Sequence, residues 1–538
     1  MKKRIISTLL VASMVLGLFT GCGNGGGTSN KGGKTTLTVG VPQNTAITSY
    51  EDNALTKYLE ENLNMDLEFE YYPSGAGEQL QQLTLAVSAG EKLPDVMIGF
   101  ISMDQSTVNS FGEEGVFIDL TDLIDKYGVN YKAQMGRLTE EQQKTITEVG
   151  TNANTGAFYG MPLYGDLTVC DLMAPSTYIN KTWLDEVGMS VPTTTDELYE
   201  VLKAFKTQDP NGNGKADEIP MLSTDIWNFI INAFVYYDPT NDINITKGKA
   251  WDPVTTDEYR QALIFMNKLC KEGLLSELSF TASATDVKSL VSGSGKTARV
   301  GMWCGHAELS TSVSSQVVDQ YVAIAPLKGA TDKGGYGVQK PNTLVYSSFI
   351  TKDCEDTEAA MKLLDFFYLD ETITRVRHGE KDVDWKEGKG DSSFLTESTI
   401  EIINPNALHS GNSTWGHNCH GIMTAQNYLS IAQEGEGRWA ECARLLKEQT
   451  QIMVDCRKPK EVAVNLVYNE DEYETIIDVK GPRNSYVSEA RALFATGGQG
   501  KDPSNDAHWK EYIKTLDEYE NDKLTKVCQS AYKRQQKK

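Results

Sequence analysis

Residues 36–41 (Thr-Leu-Thr-Val-Gly-Val) alternate polar and apolar positions, the two-residue period of a strand with one face in a core. Leu55, Leu59 and Leu63 then recur every fourth residue, which predicts a helix, and Leu67, Phe69 and Tyr71 return to alternation, which predicts a second strand. Leu80, Leu83 and Val87 mark another helix that stops at Gly90, where a glycine can take the left-handed conformation of a helix C-terminus. The run Pro94–Phe100 reads as a buried third strand. Strands alternating with helices predict a mostly parallel sheet covered by helices, and such sheets place ligands beyond the carboxyl ends of their strands. Further on, Thr194-Thr195-Asp196-Glu197 forms a capping box that opens a helix with Leu198, Leu202 and Phe205 on its buried face. Residues 259–274 form a helix turning Leu263, Met266 and Leu269 inward, and Ala360, Leu364 and Phe367 mark one more. The C-terminal stretch reads as polar and helix-rich, and Lys533–Lys538 as a solvated, fraying tail.

The first residues break this pattern. Met1-Lys2-Lys3-Arg4 is a positive cluster, followed by an apolar run to Phe19 that is shorter than the about 20 residues a bilayer span needs. Such a segment ending in small residues predicts a secretory signal peptide over 1–21. Leu18-Phe19-Thr20-Gly21-Cys22 resembles a bacterial lipobox, which makes Cys22 the lipidated mature N-terminus. Residues 23–34, rich in Gly, Ser, Thr, Asn and Lys, cannot bury apolar area and predict a flexible tether over 22–35. The expected location is therefore extracytoplasmic, anchored by lipid to the outer face of the cell membrane.

Composition narrows what the body can bind. A formal net charge of −23 argues against nucleic acid, whose phosphates demand basic patches. It also disfavours adhesion to anionic lipid by charge, leaving the acyl group as the membrane anchor. The nine cysteines are scattered, with no CxxC pair and no zinc spacing. No GxSxG elbow, HExxH motif or phosphate-cradling glycine loop occurs. Nothing singles out the paired carboxylates of a glycoside hydrolase. His417-Asn418-Cys419-His420 is the nearest approach to a metal cluster and reads as a polar loop.

Several segments together carry a family resemblance. Tyr178-Ile179-Asn180-Lys181 and Trp183–Gly188 lead into Val191–Leu198; Phe158–Pro162, Leu93–Val96, Glu272-Gly273-Leu274 and Glu358–Asp365 accompany them in order. This set resembles the extracellular solute-binding proteins of family 1, the receptors of carbohydrate ABC importers. The length of the chain and the insertion at 209–220 are similar to a long lipoprotein subgroup that also resembles the alginate-oligosaccharide binding proteins. The resemblance implies an α/β, two-lobe periplasmic-binding-protein-like fold of type II, with crossover strands as a hinge and a ligand cleft between the lobes. It places the N-terminal lobe at 36–163, the C-terminal lobe at 164–345, a return to the first lobe at 346–400, and a helical region packing on both lobes at 401–538. It implies a monomer, without catalysis, that delivers a carbohydrate to ABC transporter permease subunits. A surface glycoside hydrolase and a ligand-sensing lipoprotein without a transport role are the alternatives.

Asp209-Pro210-Asn211-Gly212-Asn213-Gly214-Lys215-Ala216-Asp217-Glu218 follows the spacing of an EF-hand loop. Calcium takes six to eight oxygens, and alternate residues of a tight loop aim Asp209, Asn211 and Asn213 inward, with the Lys215 carbonyl and Asp217 after them. Pro220 holds the position of the usual bidentate Glu, and Glu218 takes that role in the resembling alginate binders. The expected cofactor is structural calcium. Sugar recognition needs aromatic faces and hydrogen-bonding side chains. Tyr164 and Asp166 after the first crossover, Trp227-Asn228, Trp303, Trp385 and Trp415 are the candidates, with core packing the competing role for each tryptophan.

Overall fold

The computed structural model describes residues 34–536 except 102, 153, 167–175, 238–241, 306–310, 313, 332, 339–341, 391–397, 405–406, 408–410, 417–418, 425–426, 428–429, 434–437, 457–465 and 467. The signal peptide, Cys22 and nearly all of the tether lie outside the described residues, as does His417.

The described residues form fifteen strands, β1 to β15 in chain order. The first three, β1 (Thr35–Pro42), β2 (Met65–Tyr72) and β3 (Val96–Ile98), are parallel, with β1 in the middle. The helices Ala54–Leu63 and Ala76–Ala89 connect them, as the periodicity predicts. The second helix ends at Gly90, whose φ of 68° is the left-handed cap. Then come β4 (Met161–Gly165), β5 (Thr177–Asn180), β6 (Ile219–Met221) and the hairpin β7 (Asn244–Thr246) with β8 (Lys249–Trp251). They are followed by β9 (Val300–Cys304), β10 (Tyr321–Ala323), β11 (Thr343–Ile350) and β12 (Trp385–Glu387). The last are β13 (Ile400–Ile402), β14 (Gly421–Met423) and β15 (Ile431–Gln433).

Two sheets define two lobes. The first has the order β14-β4-β11-β3-β1-β2 and the second β10-β5-β9-β6. Both faces of the first sheet are covered, so neighbouring residues of β3 enter different cores: Val96 and Ile98 pack with Leu37, Val39 and Leu364, while Met97 packs with Tyr72 and Phe349. The second lobe has one large core. Into it the helix Thr195–Thr207, opened by the expected capping box, sends Leu198, Leu202 and Phe205.

The register sets the geometry between lobes. β11 runs antiparallel to β3, β4 antiparallel to β11, and β14 parallel to β4. The chain therefore leaves or enters the first sheet at Gly165, Thr343 and Met423, all on the edge where β1 and β3 end. In the second sheet Thr177 pairs with Cys304, and β6 runs parallel to β9. The carboxyl ends of β6 and β9 thus lie on the edge where the connections arrive, and the two lobes present strand ends to one another.

The segment after residue 401 is divided between the lobes. β14 completes the first sheet, whereas Val487, Phe494, Trp509, Tyr512 and Leu516 from the C-terminal helices enter the second core. Arg483, fully buried in the helix Glu470–Thr496, pins this layer by donating to Asp252 and Asn521. The helix Asn521–Gln535 contradicts the expected fraying tail: Arg534 pairs with Glu472 at 2.6 Å and ties the basic end to the lobe. No helix among the described residues is long and apolar enough to cross a membrane.

Candidate functional site

A cavity of about 450 Å³ opens at the carboxyl ends of β1 and β3, within the size range of small-molecule sites (about 300–1,000 Å³). Tyr50 and Trp415 form an aromatic wall whose ring centroids lie 5.8 Å apart. Gln43, Asn44 and Thr45, which continue β1, supply amides and a hydroxyl; Ser74 and Gln79 add more from beyond β2. Val41, Ile98 and the exposed Ile101 give the apolar remainder.

Trp415 reaches this place because the loop 411–416 is laced to the first lobe. Ser49 N donates to Asn412 Oδ1 at 2.9 Å, Asn53 Nδ2 to the Thr414 carbonyl at 2.9 Å, and Ala54 N to the Asn412 carbonyl at 2.7 Å. The Trp415 indole N–H donates to Thr56 Oγ1 at 2.9 Å, and its ring meets Phe69 edge-on at 5.3 Å. Behind the wall, buried His420 holds Ser348 Oγ of β11 and the Leu364 carbonyl, each at 2.7 Å. Burial keeps this imidazole neutral, with its pKa lowered to about 4, so it braces the hinge side of the wall.

The other candidates fall in different places. For Trp303, a sugar-facing candidate with core packing as its competing role, the structure gives the core role. The ring is fully buried in β9, between Tyr178 at 4.5 Å and Tyr321 at 5.7 Å. The reason is its position in a strand whose five residues are all buried. Trp385 is likewise buried, outside the cavity, its indole N–H donating to the Gly379 carbonyl at 2.9 Å. Tyr164 is buried in the first core, where its hydroxyl accepts from Asn342 at 2.7 Å. Asp166 follows at the exit to the second lobe and accepts from Gln142 at 2.9 Å.

Trp227 begins the helix Ile226–Phe234 directly after β6, on the edge facing the first lobe. It is half-buried, and the Arg491 guanidinium lies 3.4 Å from its ring centroid, covering one face. Asn228 is buried and accepts from Asn232 Nδ2 at 2.7 Å, which occupies its side-chain oxygen. Tyr50, Gln43, Asn44, Thr45, Ser74 and Gln79 were not anticipated as site residues. The available signal was that Gln43–Thr45 directly follow a predicted parallel strand, where ligands gather.

The loop 209–218 closes on itself. Asp209 Oδ1 and Oδ2 accept from Asn213 N at 3.1 Å and Gly214 N at 2.9 Å, and Asn213 Oδ1 accepts from Lys215 N at 2.8 Å. Gly214, at φ 74°, permits the sharp turn. The amides of Asn211 and Asn213 donate to Asp217 Oδ1. Glu218 Oε1 is buried without a hydrogen-bond partner, and burial, then Asp209 and Asp217, raise its pKa. Among the described residues no three acids, histidines or cysteines converge as a metal cluster, so any ion here would rely on the amide and carbonyl oxygens as well. The orphaned Glu218 oxygen and the side-chain amide oxygens of Asn211 and Asn213 are hard donors of the kind calcium takes.

Two α/β lobes facing one another by their strand ends, with a cavity on that edge of the first, are an architecture suited to holding a solute. The comparisons agree: residues 42–373 match the bacterial extracellular solute-binding protein family, and the chain belongs to it. The chain is 30% identical over 243 residues to the fructooligosaccharide ABC transporter substrate-binding protein FusA of Streptococcus pneumoniae, 43% of this chain and 42% of that one. It is 27% identical over 290 residues to lipoprotein LipO of Bacillus subtilis, 52% of this chain and 51% of that one. The chain thus spans about half the length of these curated relatives. Among solved structures, an extracellular solute-binding protein from Bifidobacterium longum subsp. infantis superposes with a TM-score of 0.75 at 21% identity, over 94% of this chain and 99% of that one. An EF-hand mutant of the pneumococcal FusA in complex with fructo-nystose superposes with a TM-score of 0.74 at 19% identity, over 93% and 99%. At these identities the superpositions establish the fold.

Proposed function

We propose that this protein captures an oligosaccharide outside the cell and delivers it to an ABC importer. The observation that carries this reading is the cavity at the carboxyl ends of β1 and β3, walled by Tyr50 and Trp415 and edged with neutral hydrogen-bonding side chains. Aromatic faces cover the apolar side of a sugar ring, and amides and hydroxyls meet its hydroxyls. Trp227 on the opposing lobe and Asp166 at the exit from β4 complete the proposed cleft, whereas Tyr164 packs in the first core. Ligand favours closure only if the closed state binds it more tightly. The test is a glycan array followed by titration calorimetry, with small-angle scattering to follow compaction and chromatography of the recovered glycan. Saturable binding, compaction and an intact glycan are expected; steady release of a cleaved product would overturn the reading in favour of a hydrolase.

Two features extend the proposal. Cys22 anchors the chain by lipid, a reading supported by the lipobox-like segment and by a relative named as a lipoprotein. Cys22→Ser is expected to release the protein from the membrane fraction, and retention would refute the anchor. Calcium occupies the loop through Asp209, Asn211, Asn213, Lys215, Asp217 and Glu218 and braces the helix end before β6. The orphaned Glu218 oxygen and the structural likeness to a protein with an EF-hand support this assignment.

A further inference from the structure

Resting on the carbohydrate reading, we propose that the first-lobe half of the cleft takes uncharged sugar residues and rejects uronic acids and other carboxylated glycans. Among the described residues lining the cavity, none is Asp, Glu, Lys, Arg or His. Its polar complement is amide and hydroxyl throughout, groups that donate and accept in the manner of sugar hydroxyls. The two ionisable groups on its wall are uncharged at neutral pH: burial pushes the Cys419 thiol up to about 12 and raises the Tyr50 phenol.

A carboxylate entering this space loses hydration and meets no cation, and burying an unpaired charge is among the costliest events in protein recognition. Arginine is the usual partner for such a group because its planar fork pairs with a carboxylate at two points. The arginine nearest the opposing candidate ring, Arg491, is instead stacked on Trp227. The charged residues flanking the wall in sequence are acids, Glu51 beside Tyr50 and Glu78 beside Gln79, and the whole chain carries −23. Their field repels an approaching anion before contact. A cationic amino sugar gains nothing either, because no carboxylate lines the cavity among the described residues.

The experiment uses the purified full-length chain and paired probes. Uncharged fructo-, gluco- and manno-oligosaccharides and oligogalacturonate are titrated first. The tightest neutral binder is then compared with the same glycan oxidised at its primary hydroxyls to the uronate. The neutral form is expected to bind roughly tenfold or more tightly than its oxidised twin, at low and at physiological ionic strength alike. The variant Gln43→Lys, which adds a cation at an exposed rim position, is expected to narrow that gap. Oligogalacturonate as the tightest probe, an oxidised twin that binds equally well, or a gap unmoved by Gln43→Lys would each overturn the neutral-sugar proposal while leaving a carbohydrate receptor standing. Binding of no glycan at all would overturn the carbohydrate reading, and this proposal with it.

Discussion

The two lobes end their parallel strands at a common cleft but finish those ends differently. In the first lobe, β1 and β3 stop short and the chain continues into Gln43–Thr45 and Gly99–Ile101, leaving a cavity. In the second lobe the corresponding strand ends, among the described residues, are packed over. Trp303 is enclosed by Tyr178 and Tyr321, Ser223 Oγ donates to the Cys304 carbonyl at 2.6 Å, and Arg491 covers one face of Trp227. The difference teaches that a shared topology fixes where a ligand can sit, whereas the side chains that cap each strand decide which lobe holds the recess. The first lobe carries a recess at its strand ends, and the second packs aromatic rings beneath its own.

The largest expected effect tests the packed side. Trp303→Ala should cost about 3–5 kcal/mol of stability, read from the midpoint of denaturant unfolding, because it empties a fully enclosed site. If the variant keeps its stability and loses sugar affinity, Trp303 is a ligand platform and the contrast between the lobes collapses.

On the first-lobe side, His420 should make stability depend on acid. Its folded pKa, about 4, lies below its unfolded value near 6.5, so the unfolded chain binds the proton more readily. The stabilisation is present above about 6.5 and is lost as pH falls through about 4, a change of about 3 kcal/mol. His420→Gln, able to donate to Leu364 and accept from Ser348, should flatten that slope in melts taken across this range. An identical slope in the variant would remove His420 as the source.

Calcium should act on the second lobe alone. At a hundredfold excess over Kd an ion that binds only the folded state adds about 2.7 kcal/mol. The melting temperature should therefore fall on chelation, and Glu218→Gln should abolish the response. Acid should weaken it too, because the raised pKa of Glu218 lets protons compete with the ion. Chelator without effect on the parent chain would dismiss the ion.

The smallest effect concerns the open side. Gln43→Ala removes an exposed side chain while its backbone N–H still donates to the Tyr72 carbonyl at 2.7 Å. The loss should be about 1 kcal/mol in sugar affinity, roughly fivefold, with the melting temperature unchanged. Full affinity in this variant would move the contacts away from the end of β1.

The helices and strands of both lobes were legible along the chain where their cause is local. Period-two and period-four burial, the Thr194–Glu197 capping box and the Gly90 cap depend on neighbours a few residues away. The tight turn around Gly214 was legible for the same reason: alternate oxygens and glycines shape it within ten residues. The cavity was not, because Tyr50 and Trp415 meet only after the loop 411–416 is laced onto the residues around Asn53. Nor does sequence distinguish an enclosed tryptophan from one that walls a recess. Trp303 and Trp415 are alike as residues, and both are nearly inaccessible. What separates them is which distant side chains close over the strand end, Tyr178 and Tyr321 in one case and the open rim of Gln43–Thr45 in the other. Local hydrogen bonding and periodic burial determined the elements; long-range packing alone decided where they leave a space for a ligand.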